Sequence, residues 1–460
     1  MHMYEIDFNQ KQHIYFAGIG GISMSGLAQI LLSRGFNISG SDSKESALTQ
    51  QLTNLGANIR YEQTASNIND NIDVLVYTAA IKEDNPELVA AKKLGIPTLT
   101  RAEFLGQIMK NYKTAIGVSG THGKTTTTSM ISQILLQADT DPTILVGGIM
   151  KSINGNIRVG QSELMITEAC EYTNSFLSFF PTIGIILNVC ADHMDFFNNL
   201  DEIRESFRNY AKLLPKDGIL IINNEIDNIE YFTEGLDCKI VTFGPNNANY
   251  SFKNLMYNDF ACGEFDIIAN NAEIGHINLK VPGLHNVLNA MAAIATCMEL
   301  GLDISHVREG LCQYTGTDRR FQYKGTFNGA TVIDDYAHHP DEIEATLNTT
   351  KTYPHKDVWC VFQPHTYTRT KAFMNEFATS LSKADHIILA PIYAARETDT
   401  LGISSIDLMN EIKKLGSDVH YFDTFEEIQQ FLAKNIMHDD LLITMGAGDV
   451  VLIGEHLVSL

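Results

Sequence analysis

The sequence predicts an α/β protein of three domains: an N-terminal Rossmann-like domain, a central P-loop-type nucleotide domain with an antiparallel patch, and a C-terminal Rossmann-like domain. Three observations predict it. Apolar strand-like runs alternate with helical runs nearly throughout, the pattern of parallel sheets covered by helices. Glycine-rich turns leave a strand and open a helix at Gly18 to Gly21, Gly120 to Gly123 and Gly446 to Gly448. The alternation breaks once, from about Ala248 to Val281, into short strands with turns such as Asn270-Asn271. A chain of 460 residues exceeds one ordinary domain, and the pattern places the boundaries at 1–112, 113–317 and 318–460.

The first domain opens on an apolar strand at His13 that runs into Gly18-Ile19-Gly20-Gly21. A helix, Met24 to Leu32, follows; then come a strand from Phe36 to Ser41, ending at Asp42, and another from Asp73 to Tyr77. Strand, glycine turn, helix, strand and acid form the dinucleotide-type pattern. Ser23 stands where the third glycine of that pattern belongs, so Gly26, one helical turn later, is expected to permit the close helix packing.

The central domain starts with the strand Thr114 to Ser119 and the loop Gly120-Thr121-His122-Gly123-Lys124-Thr125-Thr126. A helix is expected over Ser129 to Gln137. Such a unit turns backbone N–H groups and a helix N-terminus toward a polyphosphate, with the lysine for the outer phosphates and the threonine hydroxyl for Mg²⁺. The spacing is a variant, because the first glycine of the standard loop falls on Val118. Strands are expected at Glu163 to Thr167, Thr182 to Asn188 and Gly218 to Ile222, each with a polar residue near its C-terminal end, the ligand-binding edge of an open α/β sheet. A helix, His285 to Leu300, follows the antiparallel patch. The third domain has expected strands at Thr331 to Asp335, Val358 to Gln363, His386 to Ala390 and Leu441 to Met445.

Composition narrows the partners. A net charge of −22 repels nucleic acid and anionic membranes. No apolar run approaches the ~20 residues of a membrane span, and the polar stretch Met1 to Gln12 has no signal-peptide pattern. Seven cysteines without a CxxC pair speak against a disulfide framework or zinc site and for a reducing cytoplasm.

Glu168 ends one expected strand with Glu171 close by, and Asp192-His193 follow another. Two strand ends carrying Glu and His beside a phosphate loop can complete a Mg²⁺ shell, although imidazole is a less usual ligand for so hard a cation.

At this point the residues resemble the Mur ligase family. The matching stretches are HIYFAGIGGISMSGLA, SGSD, TRAEFL, GTHGKTTTTSMI, TEACEYTNSFL, ADHMDFF, GLHNVLNA, RRFQ, DDYAHHPDEI and QPHTYTRT, from His13 to Thr370. The glycine spacing around Lys124 is that family's variant of the loop, and HHP with QPHTYTRT points to its alanine-adding branch. The resemblance implies an ATP-dependent ligase. UDP-N-acetylmuramate would bind the first domain, ATP the central one and L-alanine the third, with the lactyl carboxylate activated as an acyl phosphate in peptidoglycan precursor synthesis.

By match to the family's motifs, Lys124, Glu168 and His193 would be catalytic. Thr125, Glu168 and His193 would ligand Mg²⁺, one ion on Thr125 with Glu168 and a second on His193 with Glu168. Gly120, Thr121, His122, Gly123, Lys124, Thr125, Thr126, Asn289, Arg320, Asp335 and His338 would bind ATP. Gly18, Gly20, Gly21, Asp42, Thr78, Arg101 and His122 are candidates for the UDP-sugar. Arg369, with His365, is the candidate for the amino-acid carboxylate; Thr366 stands where some relatives carry a second arginine. Arg208 occupies the place of a carbamylated lysine found in several relatives. The implied state is a cytoplasmic monomer or homodimer. Three other readings stay open here: a recycling ligase that adds a preformed tripeptide to the same sugar nucleotide, a nicotinamide-dependent oxidoreductase built on the first glycine turn, and a non-catalytic nucleotide-binding scaffold.

Overall fold

The computed structural model describes residues 4–78, 80–395 and 397–460. Three sheets follow one another along the chain. In the first, five parallel strands lie in the spatial order Asn58–Arg60, Asn37–Ser41, His13–Ala17, Val74–Tyr77, Thr98–Thr100. The order reverses beside His13–Ala17, so the Gly18 to Gly21 turn opens at the crevice where such sheets bind ligands. Gly18 has φ +83°, a conformation that favours glycine, and the helix Ile22–Ser33 starts directly after the turn.

The second sheet has ten strands. Its parallel centre is Lys239–Phe243, Ile219–Asn223, Ile183–Ile186, Thr114–Ser119, Leu164–Glu168 and Thr143–Met150. One end carries the expected antiparallel patch, Tyr250–Tyr257, Cys262–Ala269 and Ala272–Pro282. Asn270 and Asn271 both take positive φ in its hairpin, as a type I′ turn requires. The other end carries Gly155–Arg158 antiparallel to Thr143–Met150, a pair the sequence pattern did not reveal because glycines interrupt it. The apolar core between the sheet and the helices Lys124–Gln137 and Leu284–Glu299 includes Ile116, Val118, Ile131, Ile134, Ala290 and Ile294.

The helix expected from Ser129 begins five residues earlier, at Lys124. Gly123 caps it in the left-handed region (φ +85°), and the β-branched run Thr125 to Thr128 hides the helical period in the sequence. The third sheet runs Gln322–Phe327, Ala330–Asp335, Leu441–Met445, Val358–Phe362, His386–Leu389, Asp418–Tyr421. Only Gln322–Phe327 is antiparallel to its neighbour.

The seams between these units differ. One apolar cluster crosses the first, from Ile14, Phe16, Leu27 and Phe104 to Met165, Phe176, Phe207 and Tyr210. Gly26 serves close packing as expected, but toward the next unit: a Cβ there would lie 2.9 Å from Cδ1 of Ile157. The third unit instead has apolar clusters of its own and meets the central unit mainly through polar groups, with an aromatic contact, Phe260 on Tyr353.

Candidate active site

The central loop is wired to the end of the neighbouring strand. The His122 N–H donates to Oδ1 of Asn188 at 2.8 Å, and Asn188 Nδ2 donates to the His122 carbonyl at 3.0 Å. The Cys190 N–H donates to Oγ1 of Thr121 at 2.9 Å. The glycines are required by space as well as conformation. A Cβ at Gly120 would lie 2.8 Å from Cβ of Leu187, and one at Gly123 would lie 2.5 Å from Oδ1 of Asn289. Asn289 therefore stands against the loop, where it also accepts a hydrogen bond from Thr127 Oγ1 at 3.2 Å.

Lys124 turns back into the protein. Its ammonium donates to the Thr121 carbonyl at 3.0 Å and to both carboxylate oxygens of Glu171, at 3.0 and 3.2 Å. Burial would lower its pKa, but Glu171 outweighs that and holds it above the ordinary lysine value. Glu171 is 2% exposed and also lies 3.7 Å from Nε2 of His193. His193, expected to share an ion with Glu168, lies against Glu171 in this structure. Glu168 lies in register with Val118 and faces the other way, accepting the N–H of Gly147. A Cβ at Gly147 would lie 2.8 Å from Glu168 Oε1, and one at Gly148 would lie 3.2 Å from Cγ2 of Thr125. This Gly-Gly pair therefore brings Thr125 and Glu168 to one place. His193 is strained at φ +53° and packs its ring on Tyr172 at 4.5 Å. Burial lowers its pKa, with Asp192 and Glu171 opposing, so a neutral imidazole faces the site.

A cavity of about 390 Å³ opens beside the loop. His122, Gly123, Thr126 and Asn289 line it from the central unit, and Arg320, Asp335 and Glu342 from the third. Asp335 accepts N–H groups of Phe321 at 2.9 Å and Ala337 at 2.7 Å, and burial pushes its pKa up to about 6. Arg320 lies 3.8 Å from Glu342 and 5.2 Å from the Tyr336 ring. His338 lies outside that lining; it contacts the Tyr336 carbonyl at 2.9 Å and Glu342 at 3.3 Å, and burial lowers its pKa to about 4. His122 reaches across the seam to Glu342 at 3.2 Å. Burial would lower its pKa, yet the facing carboxylates of Asp341 and Glu342 raise it to about 9.

A second cleft, about 360 Å³, is lined by Tyr172, Asp192 and His193 on one side and His365, Thr366 and Arg369 on the other. The Arg369 fork is already engaged: Nη2 and Nε donate to Oδ1 of Asp192 at 3.0 and 3.3 Å, and Nη1 lies 3.2 Å from His365 Nδ1. Burial would raise the Asp192 pKa; Arg369 and then His193 hold it far below the usual range. Thr366, at φ +65°, caps the short helix Tyr367–Ala372. Asp192 carries no distinctive sequence signal for this pairing.

The first glycine turn is held from within. The Gly20 N–H donates to Oδ2 of Asp42 at 2.8 Å, so the acid expected at the UDP-sugar props up its own loop. Thr78 packs on Gly18, where a Cβ would lie 3.0 Å from its Cγ2. Arg101 faces a third cavity, about 170 Å³, with Ser23, Gly147 and Glu168. Burial lowers its pKa. Gly20, Gly21 and Asp42 do not line this cavity. Glu171 is the functional candidate that sequence reasoning left aside; its three-residue offset from Glu168 was visible, but its partners were not.

Comparison with known proteins gives consistent matches. Family models described as Mur ligase family catalytic domain, Mur ligase middle domain and Mur ligase glutamate ligase domain match residues 13–113, 118–297 and 319–448. The UDP-N-acetylmuramate–L-alanine ligase of Lachnospira eligens is 58% identical, covering 99% of this chain and 100% of the relative. The enzyme of the same name from Agathobacter rectalis matches equally, at 58% over the same shares. Among solved structures, the UDP-N-acetylmuramate-alanine ligase of Thermotoga maritima superposes with a TM-score of 0.78 at 30% identity, covering 97% of this chain and 98% of that one.

Proposed function

The chain belongs to the Mur ligase family, and from that membership we infer that it joins L-alanine to UDP-N-acetylmuramate at the expense of ATP, in peptidoglycan synthesis. The observation that carries the reading to particular residues is the convergence of three cavities on one strand edge. The cavity with Arg101 reaches Glu168, the large cavity reaches the phosphate loop, and the cleft with Arg369 reaches His193. By their lining rather than their size, they are assigned to the reacting end of the sugar nucleotide, to ATP and to the amino acid respectively. The spatial meeting of three ligands is what a ligation needs.

The chemistry follows from reactivity. A carboxylate does not react with an amine until one of its oxygens becomes part of a leaving group. The lactyl carboxylate attacks the γ-phosphorus of ATP, forming an acyl phosphate and ADP. The alanine amine then attacks that carbonyl, and phosphate leaves. For the first step Lys124 exchanges Glu171 for the phosphates, neutralising charge where it develops. Arg320 and Asn289 border the nucleotide, and Arg369 offers a bidentate fork to the alanine carboxylate once Asp192 yields it. The expected ligands fit two divalent cations: the Thr125 hydroxyl with the Glu168 carboxylate would hold one, and the neutral His193 imidazole a second, where Glu171 adds a carboxylate. Such an ion would supply positive charge to the phosphate oxygens.

No helix among the described residues is long and apolar enough to cross a membrane, and all seven cysteines are unpaired, which supports a cytoplasmic placement. We keep 1–112, 113–317 and 318–460 as the domain boundaries, a division supported by the three separate sheets.

The test is phosphate release from ATP by purified protein. It should require both UDP-N-acetylmuramate and L-alanine, and a preformed tripeptide should replace L-alanine poorly. Release without the amino acid, or equal use of the tripeptide, would overturn the reading. For the metal, Glu168→Gln should move the Mg²⁺ activation curve to higher concentration more than His193→Ala does, because a carboxylate brings charge and an imidazole only a dipole. Superimposable curves for wild type and E168Q would remove Glu168 from the metal set.

A further inference from the structure

We propose that His122, Cys190 and Asp341 form a binding site for a thiophilic divalent cation such as Zn²⁺, separate from the Mg²⁺ set and bridging the phosphate loop to the third unit. One ligand atom from each residue lies within 4.8 Å of the others. A tetrahedral zinc site with thiolate, imidazole and carboxylate ligands places such atoms roughly 3.5 Å apart. The remaining contraction is small, and Asp341 can supply it, because its side chain is 56% exposed.

A second observation points to a ligand. Nε2 of His122 is buried and has no hydrogen-bond partner among the described residues, and it faces Oδ2 of Asp341 at 3.7 Å. The opposite ring nitrogen, Nδ1, lies 3.2 Å from Glu342 Oε1. That is the arrangement of a metal-bound imidazole whose far nitrogen is oriented by a carboxylate. The backbone fixes two of the three ligands. The His122 and Cys190 backbones are tied to the same loop by the Asn188 and Thr121 hydrogen bonds, so their side chains approach from a rigid base. Asp341 comes from the first turn of the helix Pro340–Thr350, across the seam.

The donor chemistry selects the cation. One sulfur and one imidazole nitrogen favour zinc over magnesium or calcium, which take oxygen ligands. Binding releases two protons to water, one from the Cys190 thiol and one from Nε2 of His122, and leaves a fourth position for a water molecule. All three residues line the nucleotide cavity, so the bound cation and ATP would compete. The site would thus make the ligase sensitive to free zinc in a way that excess Mg²⁺ does not relieve.

Co²⁺ alone, titrated into nucleotide-free full-length protein, provides the test. Cobalt bound to a thiolate gives a near-ultraviolet charge-transfer band, whereas cobalt at Thr125, Glu168 and His193 gives none. We expect one equivalent to produce the band, Zn²⁺ to abolish it, and ATP to weaken binding. Cys190→Ser should remove the band, and Asp341→Asn should weaken Co²⁺ binding with the band retained at higher concentration. Circular dichroism verifies that each variant is folded. A titration without a band would overturn the proposal. So would a band that survives C190S but vanishes in Cys170→Ser, because Cys170 lies beside Glu168 and Glu171.

Discussion

The two seams of this molecule are built from opposite materials. Between the first and second units the contact is apolar and close. Gly26 admits Ile157, Gly106 admits the Ser178 backbone carbonyl, and a single hydrophobic cluster runs through both units. Between the second and third units the contact is mainly polar, with Arg369 on Asp192 and His122 on Glu342 beside an aromatic contact, Phe260 on Tyr353. Apolar burial has no substitute once water enters, so the first seam holds at one geometry. An ion pair can exchange its partner for a ligand's carboxylate or phosphate, so the second can be remodelled. The cavities lined by Asn289 and by Arg369 both lie at the second seam. The cavity lined by Arg101 lies at the first.

The largest expected effect comes from removing the charge that the ionic side passes from protein to ligand. Lys124→Ala should lower ADP formation on the order of a thousandfold while the protein stays folded, since a charge clamp on a transferring phosphoryl group contributes several kcal/mol. Near-normal single-turnover ADP formation in K124A would refute the exchange of Glu171 for phosphate.

Filling the apolar seam should act on stability. Gly106→Ala places a methyl group against the Ser178 carbonyl. We expect a loss of about 1–3 kcal/mol. Denaturant unfolding by far-UV circular dichroism should show it, while Trp359, the one tryptophan and a residue of the third unit, reports little change. An undiminished midpoint would mean that this seam can slide.

Arg369→Lys tests whether the ionic seam yields to substrate. The lysine keeps the charge and loses the fork. The KM for L-alanine should rise about tenfold, near 1.4 kcal/mol, with those for ATP and UDP-N-acetylmuramate much less affected. An unchanged alanine KM would assign Arg369 to the Asp192 pair alone.

pH separates the seams more gently. The folded pKa of His122, about 9, lies above the ordinary 6.5, so its contribution is complete below pH 6.5 and fades as pH rises through 9. Amide exchange in 338–343, corrected for its intrinsic pH dependence, should lose protection over that window, and protection at 104–108 should not. Equal loss in both segments would erase the contrast.

The smallest expected effect is none. Arg208 lies over the Tyr231 ring at 4.8 Å, on a helix whose Ile203 and Phe207 belong to the apolar cluster, and it takes part in no ion pair among the described residues. A guanidinium that stays protonated is a poor nucleophile toward CO₂. Bicarbonate removal should leave the rate unchanged, and a collapse reversed by bicarbonate would contradict this.

The sequence by itself determined the three sheets' main strands, the glycine turns and the Lys124-Thr125 pair. These rest on periodicity and backbone conformation within a few residues, which local side chains dictate. It did not reveal the short strands Asn58–Arg60 and Thr98–Thr100, too brief to show a period, the polar strand Asp418–Tyr421, or the true start of the helix at Lys124. Only the tertiary structure decided which acid meets which cation. Glu171 rather than Glu168 faces Lys124 and His193, and Asp42 turns inward to Gly20. Asp192 meets Arg369 across 177 residues, and His122 meets Glu342 across 220. Such pairings depend on strand register and on how the units dock. A rotation of one helix or a shift of one register would hand each charge a different partner, with the same local pattern in the sequence.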